Sequence, residues 1–133
     1  MILRVEHIGI AIKSLGLSDD VFARLLGTSA FKHEPVEREK VTTSFFKTGE
    51  TKIELLQSGP GGTIAGFIER KGEGLHHIAF ETDDIEAEMK RLRDSGFTLI
   101  NDRPVPGADN KLVFFVHPRS CNGVLVEFCQ EIK

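Results

Sequence analysis

An α+β fold made of two paired βαβββ modules is the architecture this sequence predicts, and three observations lead to it. The first is an internal repeat. Val5-Glu6-His7-Ile8-Gly9-Ile10 aligns with Leu75-His76-His77-Ile78-Ala79-Phe80, and Lys52-Ile53-Glu54-Leu55-Leu56-Gln57 aligns with Leu125-Val126-Glu127-Phe128-Cys129-Gln130. His7 falls on His77, Glu54 on Glu127 and Gln57 on Gln130, with 47 and 50 residues from His to Glu in the two copies. The second is strand-period alternation in all four repeated segments, with helical periodicity between them. The third is length. At 133 residues the chain suits one domain, whereas half of it would be marginal alone. The expected organisation is therefore a single domain over residues 1–133. Its modules, at about 1–60 and 73–133, are joined by a short helical connector and form a curved mixed sheet around a metal-binding cleft, with helices on the outer face.

Each element of the first module has a local reason. Leu3 to Ile12 alternates, with Ile8, Ile10 and Ile12 on one face and Val5, His7, Gly9 and Ala11 on the other. Ser14 or Ser18 can cap a helix in which Val21, Phe22, Leu25 and Leu26 recur at helical spacing, and Gly27 stops it. Phe31 to Val36 predicts a weak strand running into the charged turn Glu37-Arg38-Glu39-Lys40. Val41 to Lys47 and Thr51 to Gln57 predict a hairpin around Gly49-Glu50. Ser58-Gly59-Pro60-Gly61-Gly62 is a loop by composition. Ile64, Phe67 and Ile68 then predict a short helix closed by Gly72.

The second module repeats the plan. Leu75 to Thr82 predicts a strand, and Asp83 with Glu86 three residues on resembles a capping box. Ile85, Met89 and Leu92 follow at i, i+4 and i+7, and Gly96 ends the helix. Strands are predicted over Phe97–Ile100, Leu112–Val116 and Val124–Cys129, with Asp102–Asn110 as a loop and Pro118–Gly123 as a turn.

The strand faces carry the chemistry. His7 and His77 share faces with small residues, and Glu54 and Glu127 lie opposite Ile53/Leu55 and Val126/Phe128. One sheet face is thus apolar, and the other holds His, Glu and small residues. Two imidazoles and two carboxylates on rigid strands suit one divalent ion per chain, of the Co, Ni, Zn, Mn or Fe(II) type. With six-coordinate metal, positions remain open for a substrate. A lone strand His or Glu would be unremarkable; the in-register recurrence of both makes His7, Glu54, His77 and Glu127 the candidate ligands.

Other polar residues read as structural. His33 and His76 are expected to be packed or exposed, and Asp83, Asp84 and Glu86 to be helix caps. His117-Pro118-Arg119-Ser120 is either an ordinary turn or part of a substrate rim. Lys47, Lys111 and Arg119 are expected on the solvated surface rather than against an anionic ligand.

Composition excludes several classes. Net charge is −3 with no basic block, which argues against a nucleic-acid partner. No apolar run approaches the roughly 20 residues that span a bilayer, and the first residues read at once as a strand rather than a signal peptide. A cytoplasmic protein without membrane contact is expected. Cys121 and Cys129, on one extended segment, would lie about 26 Å apart at about 3.3 Å per residue, far beyond disulfide reach. Two reduced thiols are expected.

These same segments resemble the vicinal oxygen chelate superfamily and, within it, the methylmalonyl-CoA epimerase branch. The resemblance rests on His7-Ile8-Gly9-Ile10-Ala11, Thr51-Lys52-Ile53-Glu54-Leu55-Leu56, Gly72-Glu73-Gly74-Leu75-His76-His77-Ile78-Ala79-Phe80, Pro106-Gly107-Ala108, His117-Pro118-Arg119-Ser120 and Gly123-Val124-Leu125-Val126-Glu127. It covers nearly the whole chain. It implies His7, His77 and Glu127 as metal ligands with Glu54 at the fourth position, an acyl-CoA substrate and a homodimer. The chain departs from the family pattern in having Phe22 where a Tyr is frequent, and Thr42, Thr43 and Ser44 where some members place a Glu.

The reaction so implied inverts the carbon between a thioester and a carboxylate through an enolate. Glu127 is the first candidate base and Glu54 the second. A glyoxalase I-type lactoylglutathione lyase, a non-haem Fe(II) dioxygenase and a non-catalytic small-molecule-binding or resistance protein are the alternatives, since fold alone does not choose among them.

Overall fold

The computed structural model describes residues 1–133. Its elements run β1 (Ile2–Ala11), α1 (Leu15–Leu26), β2 (Lys32–Val36), β3 (Val41–Thr48), β4 (Thr51–Ser58), α2 (Thr63–Lys71), β5 (Gly74–Thr82), α3 (Ile85–Asp94), β6 (Val105–Gly107), β7 (Lys111–Val116) and β8 (Val126–Glu131). The βαβββ plan is present twice, so the α+β class and the mixed parallel and antiparallel pairing are as expected. The chain divides into two compact units, His7–His76 and Met1–Glu6 with His77–Lys133. β1 therefore contributes its first half to one unit and its second half to the other.

In the unit His7–His76, β1 pairs parallel with β4, β4 antiparallel with β3, and β3 antiparallel with β2. Ile12, Phe46 and Leu55 form a buried cluster under Leu15, Phe22, Ala23 and Leu26 of α1. The helix thus covers the face carrying Ile10, Ile53 and Leu55. Ser14 is the N-cap, its hydroxyl accepting from Leu17 N at 3.4 Å. Gly27 takes φ 72° and donates its N–H to Ala23 O, the left-handed stop that a β-carbon would strain. Asp19 ties this helix to the sheet: its carboxylate accepts from Ser44 Oγ at 2.6 Å and meets His33 Nε2 at 2.6 Å. The charged turn Glu37–Glu39 is a 3-10 turn ended by Lys40 in the left-handed region.

In the other unit, β5 pairs parallel with β8, β8 antiparallel with β7, and β7 antiparallel with β6. Ile85, Met89 and Leu92 of α3 bury against Phe114, Val116 and Phe128, with Phe80 and Val126 at the margin. Phe114 and Phe128 stack with centroids 5.1 Å apart and an interplanar angle of 3°. Burying each such ring contributes about 1.5–3 kcal/mol.

Four local expectations are corrected. The N-cap of α3 is Asp84, whose Oδ1 accepts from Ala87 N at 3.1 Å; Asp83 instead meets the Met1 amino group at 2.8 Å, which lowers its carboxyl and raises the amine. Phe97–Ile100 forms only a bridge, Leu99 to Val116, because the next backbone donor along, Phe115 N, is taken by the Asn101 side chain. A short strand forms instead within the expected loop, at Val105–Gly107. Pro106 is tolerated there because β6 is an edge strand. Lys111 is not solvated: it is 4% exposed, with Nζ 3.8 Å from Glu131 and 3.9 Å from Asp109.

Candidate metal site

Each unit places one histidine and one glutamate on the strand face opposite its helix. In the first, β1 and β4 pair so that Gly9 stands opposite Glu54, leaving His7 two residues along on the same face. In the second, Ala79 stands opposite Glu127 in the pairing of β5 with β8, and His77 occupies the equivalent diagonal position. The small residue beside each glutamate leaves the carboxylate room to turn toward the ring. His7 Nε2 lies 3.5 Å from Glu54 Oε1, and His77 Nε2 lies 3.1 Å from Glu127 Oε1.

All four side chains are buried: His7 is 6%, Glu54 4%, His77 7% and Glu127 6% exposed. Charged groups are rarely buried this far unless paired or coordinated. The His77 ring stands edge-on to Phe115, centroids 6.0 Å apart, which holds its plane.

The donor spacing fits metal binding. Two donors held at about 2.0–2.2 Å by one ion, at angles between octahedral and tetrahedral, lie roughly 2.8–3.6 Å apart. Both His–Glu separations fall in that range. The donor chemistry, imidazole nitrogen with carboxylate oxygen, suits a borderline divalent ion.

The third recurring pair of the repeat has a different role. Gln57 Oε1 accepts from Leu15 N at 2.5 Å, and Gln130 Oε1 accepts from Ile85 N at 2.9 Å. Each glutamine therefore satisfies the first backbone donor of its module's helix, three residues beyond the glutamate and on the opposite face. Sequence alignment finds these residues but not their use, because the helix N–H they meet is 42 or 45 residues away.

The remaining polar residues are mostly structural. His76 is edge-on to Phe67 at 4.8 Å, and His33 is held by Asp19. His117 caps a 3-10 turn, its Nδ1 accepting from Arg119 N at 3.0 Å, while Ser120 Oγ accepts from Thr98 N. Of Thr42, Thr43 and Ser44, the residues at the departure from the family pattern, Thr43 donates to Glu34 O and Ser44 to Asp19. Both cysteines are free. Cys129 shares a face with Glu127, and its thiol is pushed up strongly by burial and by the charges of Glu127 and Glu6, so it is a poor nucleophile. Burial also raises the Cys121 thiol.

The chain is similar to known proteins over nearly its whole length. Residues 6–115 match the model of the Glyoxalase/Bleomycin resistance protein/Dioxygenase superfamily. The chain is 38% identical to the ethylmalonyl-CoA/methylmalonyl-CoA epimerase of Cereibacter sphaeroides, over 98% of this chain and 99% of that one. It is 35% identical to the mitochondrial methylmalonyl-CoA epimerase of Homo sapiens, over 96% of this chain and 73% of that one. A variant of the Streptomyces coelicolor methylmalonyl-CoA epimerase, solved in complex with 2-nitronate-propionyl-CoA, superposes with a TM-score of 0.94 at 30% identity, covering 98% of this chain and 96% of that one. No helix is long and apolar enough to cross a membrane.

Proposed function

We propose that this chain, which belongs to the Glyoxalase/Bleomycin resistance protein/Dioxygenase superfamily, is an isomerase that interconverts (2R)- and (2S)-methylmalonyl-CoA. The observation that carries this reading is the matched pair of buried His–Glu contacts, each on the strand face opposite α1 or α3, in a chain that aligns over nearly its whole length with epimerases of that specificity. We read residues 1–133 as a single domain of modules 1–60 and 73–133, acting in the cytoplasm as a homodimer.

His7, Glu54, His77 and Glu127 are the proposed ligands of one divalent ion, Co, Zn, Ni or Mn. Such an ion would act as a Lewis acid, polarising the thioester carbonyl and lowering the barrier to enolate formation. The rest of the chemistry falls to the chain. A glutamate carboxylate accepts the proton from the carbon between thioester and carboxylate. The C–H bond breaks, and its electron pair moves onto the thioester oxygen. A proton delivered to the opposite face of that carbon, as the electron pair returns, completes the inversion. Two flanking groups do this more simply than one base that must serve both faces. Glu127 is the first assignment for the base and Glu54 the second. Buried, strand-held carboxylates lose little freedom on reaction, which favours positioning.

The test is α-proton exchange of methylmalonyl-CoA in deuterated water, with metal-stripped protein and after adding back Co(II). Metal-dependent exchange is the expected result. Absence of exchange with every divalent ion, on folded protein that still binds metal, would overturn the epimerase reading and direct assays to hemithioacetal isomerisation or oxygen uptake. Absence of metal binding would leave a small-molecule-binding protein.

A further inference from the structure

The repeat sets one phenylalanine beside each glutamate of the site, and the two rings differ in what covers them. In the first unit Phe45 of β3 pairs directly with Glu54; in the second Phe115 of β7 pairs directly with Glu127. Directly paired residues project from the same face of a sheet, about 4.5–5.5 Å apart at Cβ. Phe45 is sealed: it is 1% exposed, with the Phe31 ring 6.2 Å away and Lys32 Nζ 5.8 Å from its ring centre. Phe115 is only half-buried, with the His77 ring edge-on to it at 6.0 Å. The neighbouring edge strands account for part of this. β2 reaches Lys32, opposite Phe45, whereas β6 begins only at Val105, opposite Val113 and short of Phe115. The rest of the surroundings of Glu127 is closed. Ala79, its partner on β5, and Cys129, two residues along β8, are fully buried and form one apolar cluster with Val113, against which Val105 and Phe115 pack. Of the three apolar neighbours of Glu127 on that face, Ala79, Cys129 and Phe115, only Phe115 keeps exposed surface.

We propose that Phe115 is a specificity-determining residue: its partly exposed ring receives the alkyl group on the carbon that epimerises, and the closed cluster beside it restricts the chain to 2-alkylmalonyl thioesters with short alkyl groups. The inference rests on the epimerase reading with Glu127 as base, and names the part of the substrate that the site selects. In the enolate the carboxylate, thioester and alkyl group lie in one plane, and the base stands above or below it. A carboxylate that takes the proton comes within about 3 Å of the proton donor, so the alkyl group lies at its flank. The carboxylate and thioester oxygens suit the polar donors of the site, which leaves the alkyl group for an apolar surface. Ala79 and Cys129 offer no such surface, and Phe115 does. A longer alkyl chain has to push into the cluster of Ala79, Val113 and Cys129, and packed interiors resist added methylenes. Phe45, sealed beside Glu54, has no such part to play.

The test is α-proton exchange by the Co(II)-loaded full chain, measured as kcat/KM for methylmalonyl-CoA and for butylmalonyl-CoA. The wild-type chain is expected to prefer the methyl substrate at least about tenfold. Phe115→Leu and Phe115→Met, which open space beside Glu127, should each narrow that preference at least about threefold, a fraction of what one methylene is worth in an apolar pocket. Phe45→Leu should leave the ratio as in the wild type. The ratio separates specificity from structure, because lost stability or a displaced His77 lowers both substrates alike; thermal unfolding checks that each variant is folded. Exchange of methylmalonyl-CoA with the ratio unmoved in the Phe115 variants overturns the role of Phe115 and leaves the epimerase reading intact. So does a wild-type chain that takes both substrates equally, or a Phe45→Leu variant that shifts the ratio as far. No exchange of either substrate by the wild-type chain overturns the epimerase reading and this inference with it.

Discussion

The two modules share a plan but use their helices differently. α3 buries Ile85, Glu88, Met89 and Leu92 and turns a charged face outward, with Lys90 and Asp94 paired at 2.6 Å. α1 has no fully buried residue and keeps leucines exposed. Yet both helices begin alike, with a capping oxygen at Ser14 or Asp84 and a glutamine from the module's last strand on the first N–H. What the repeat conserves is the attachment of each helix to its glutamate strand. Because the glutamine and glutamate sit three apart on that strand, anchoring the helix also sets the strand that presents the carboxylate. The outer surface of the helix is left free to diverge.

The same comparison ranks the experiments. If the two His–Glu pairs were equivalent in catalysis, Glu127→Gln and Glu54→Gln would damage α-proton exchange equally. The expectation is unequal: Glu127→Gln should lose about 10²–10⁴-fold in turnover, the usual contribution of a positioned base, while retaining some metal. Glu54→Gln should lose less. Equal losses would make the pair a symmetric base system, and unchanged exchange in Glu127→Gln would sink its assignment.

Next come the two cores. Phe114, fully buried and near the stacked Phe128, and Phe46, fully buried beneath α1, should each cost about 3–5 kcal/mol on replacement by Ala. Urea unfolding measures both. A much smaller loss for Phe46→Ala would show that the thinner cover of α1 lets its core collapse around the cavity.

The glutamine anchors should be worth less. Gln57→Ala and Gln130→Ala each remove one acceptor from a helix start, an effect of about 1 kcal/mol, with divalent-ion affinity little changed in calorimetry. A large fall in metal affinity in either variant would show that the anchor positions the glutamate tightly enough to govern binding. The smallest difference is in thiol chemistry. Both thiols are raised, so thiolate-specific labelling should be slow at neutral pH and rise with pH, Cys121 reacting well before Cys129.

What sequence alone determined is the module plan and the pairing of chemistry with strand faces. Alternation with period two assigns His7, Glu54, His77 and Glu127 to the face opposite the large apolar residues whatever the strands later contact. Register within a repeat is likewise a one-dimensional property. Tertiary structure decided whatever depends on a partner distant along the chain. Gln57 and Gln130 repeat as faithfully as the glutamates, and only the helix N–H in front of each shows that their role is structural. Asp83 and Asp84 are both plausible caps by spacing; backbone direction at the end of β5 selects Asp84 and turns Asp83 toward Met1. Phe97–Ile100 has strand composition, but a strand needs an available ladder, and the Asn101 side chain takes the donor at Phe115. Lys111 reads as a surface residue until Glu131 and Asp109 close around it. The exposure of Leu17, Val21 and Leu25 belongs to the same class. Their spacing says only that the helix has an apolar side, and packing decides which apolar side meets the core and which is left over.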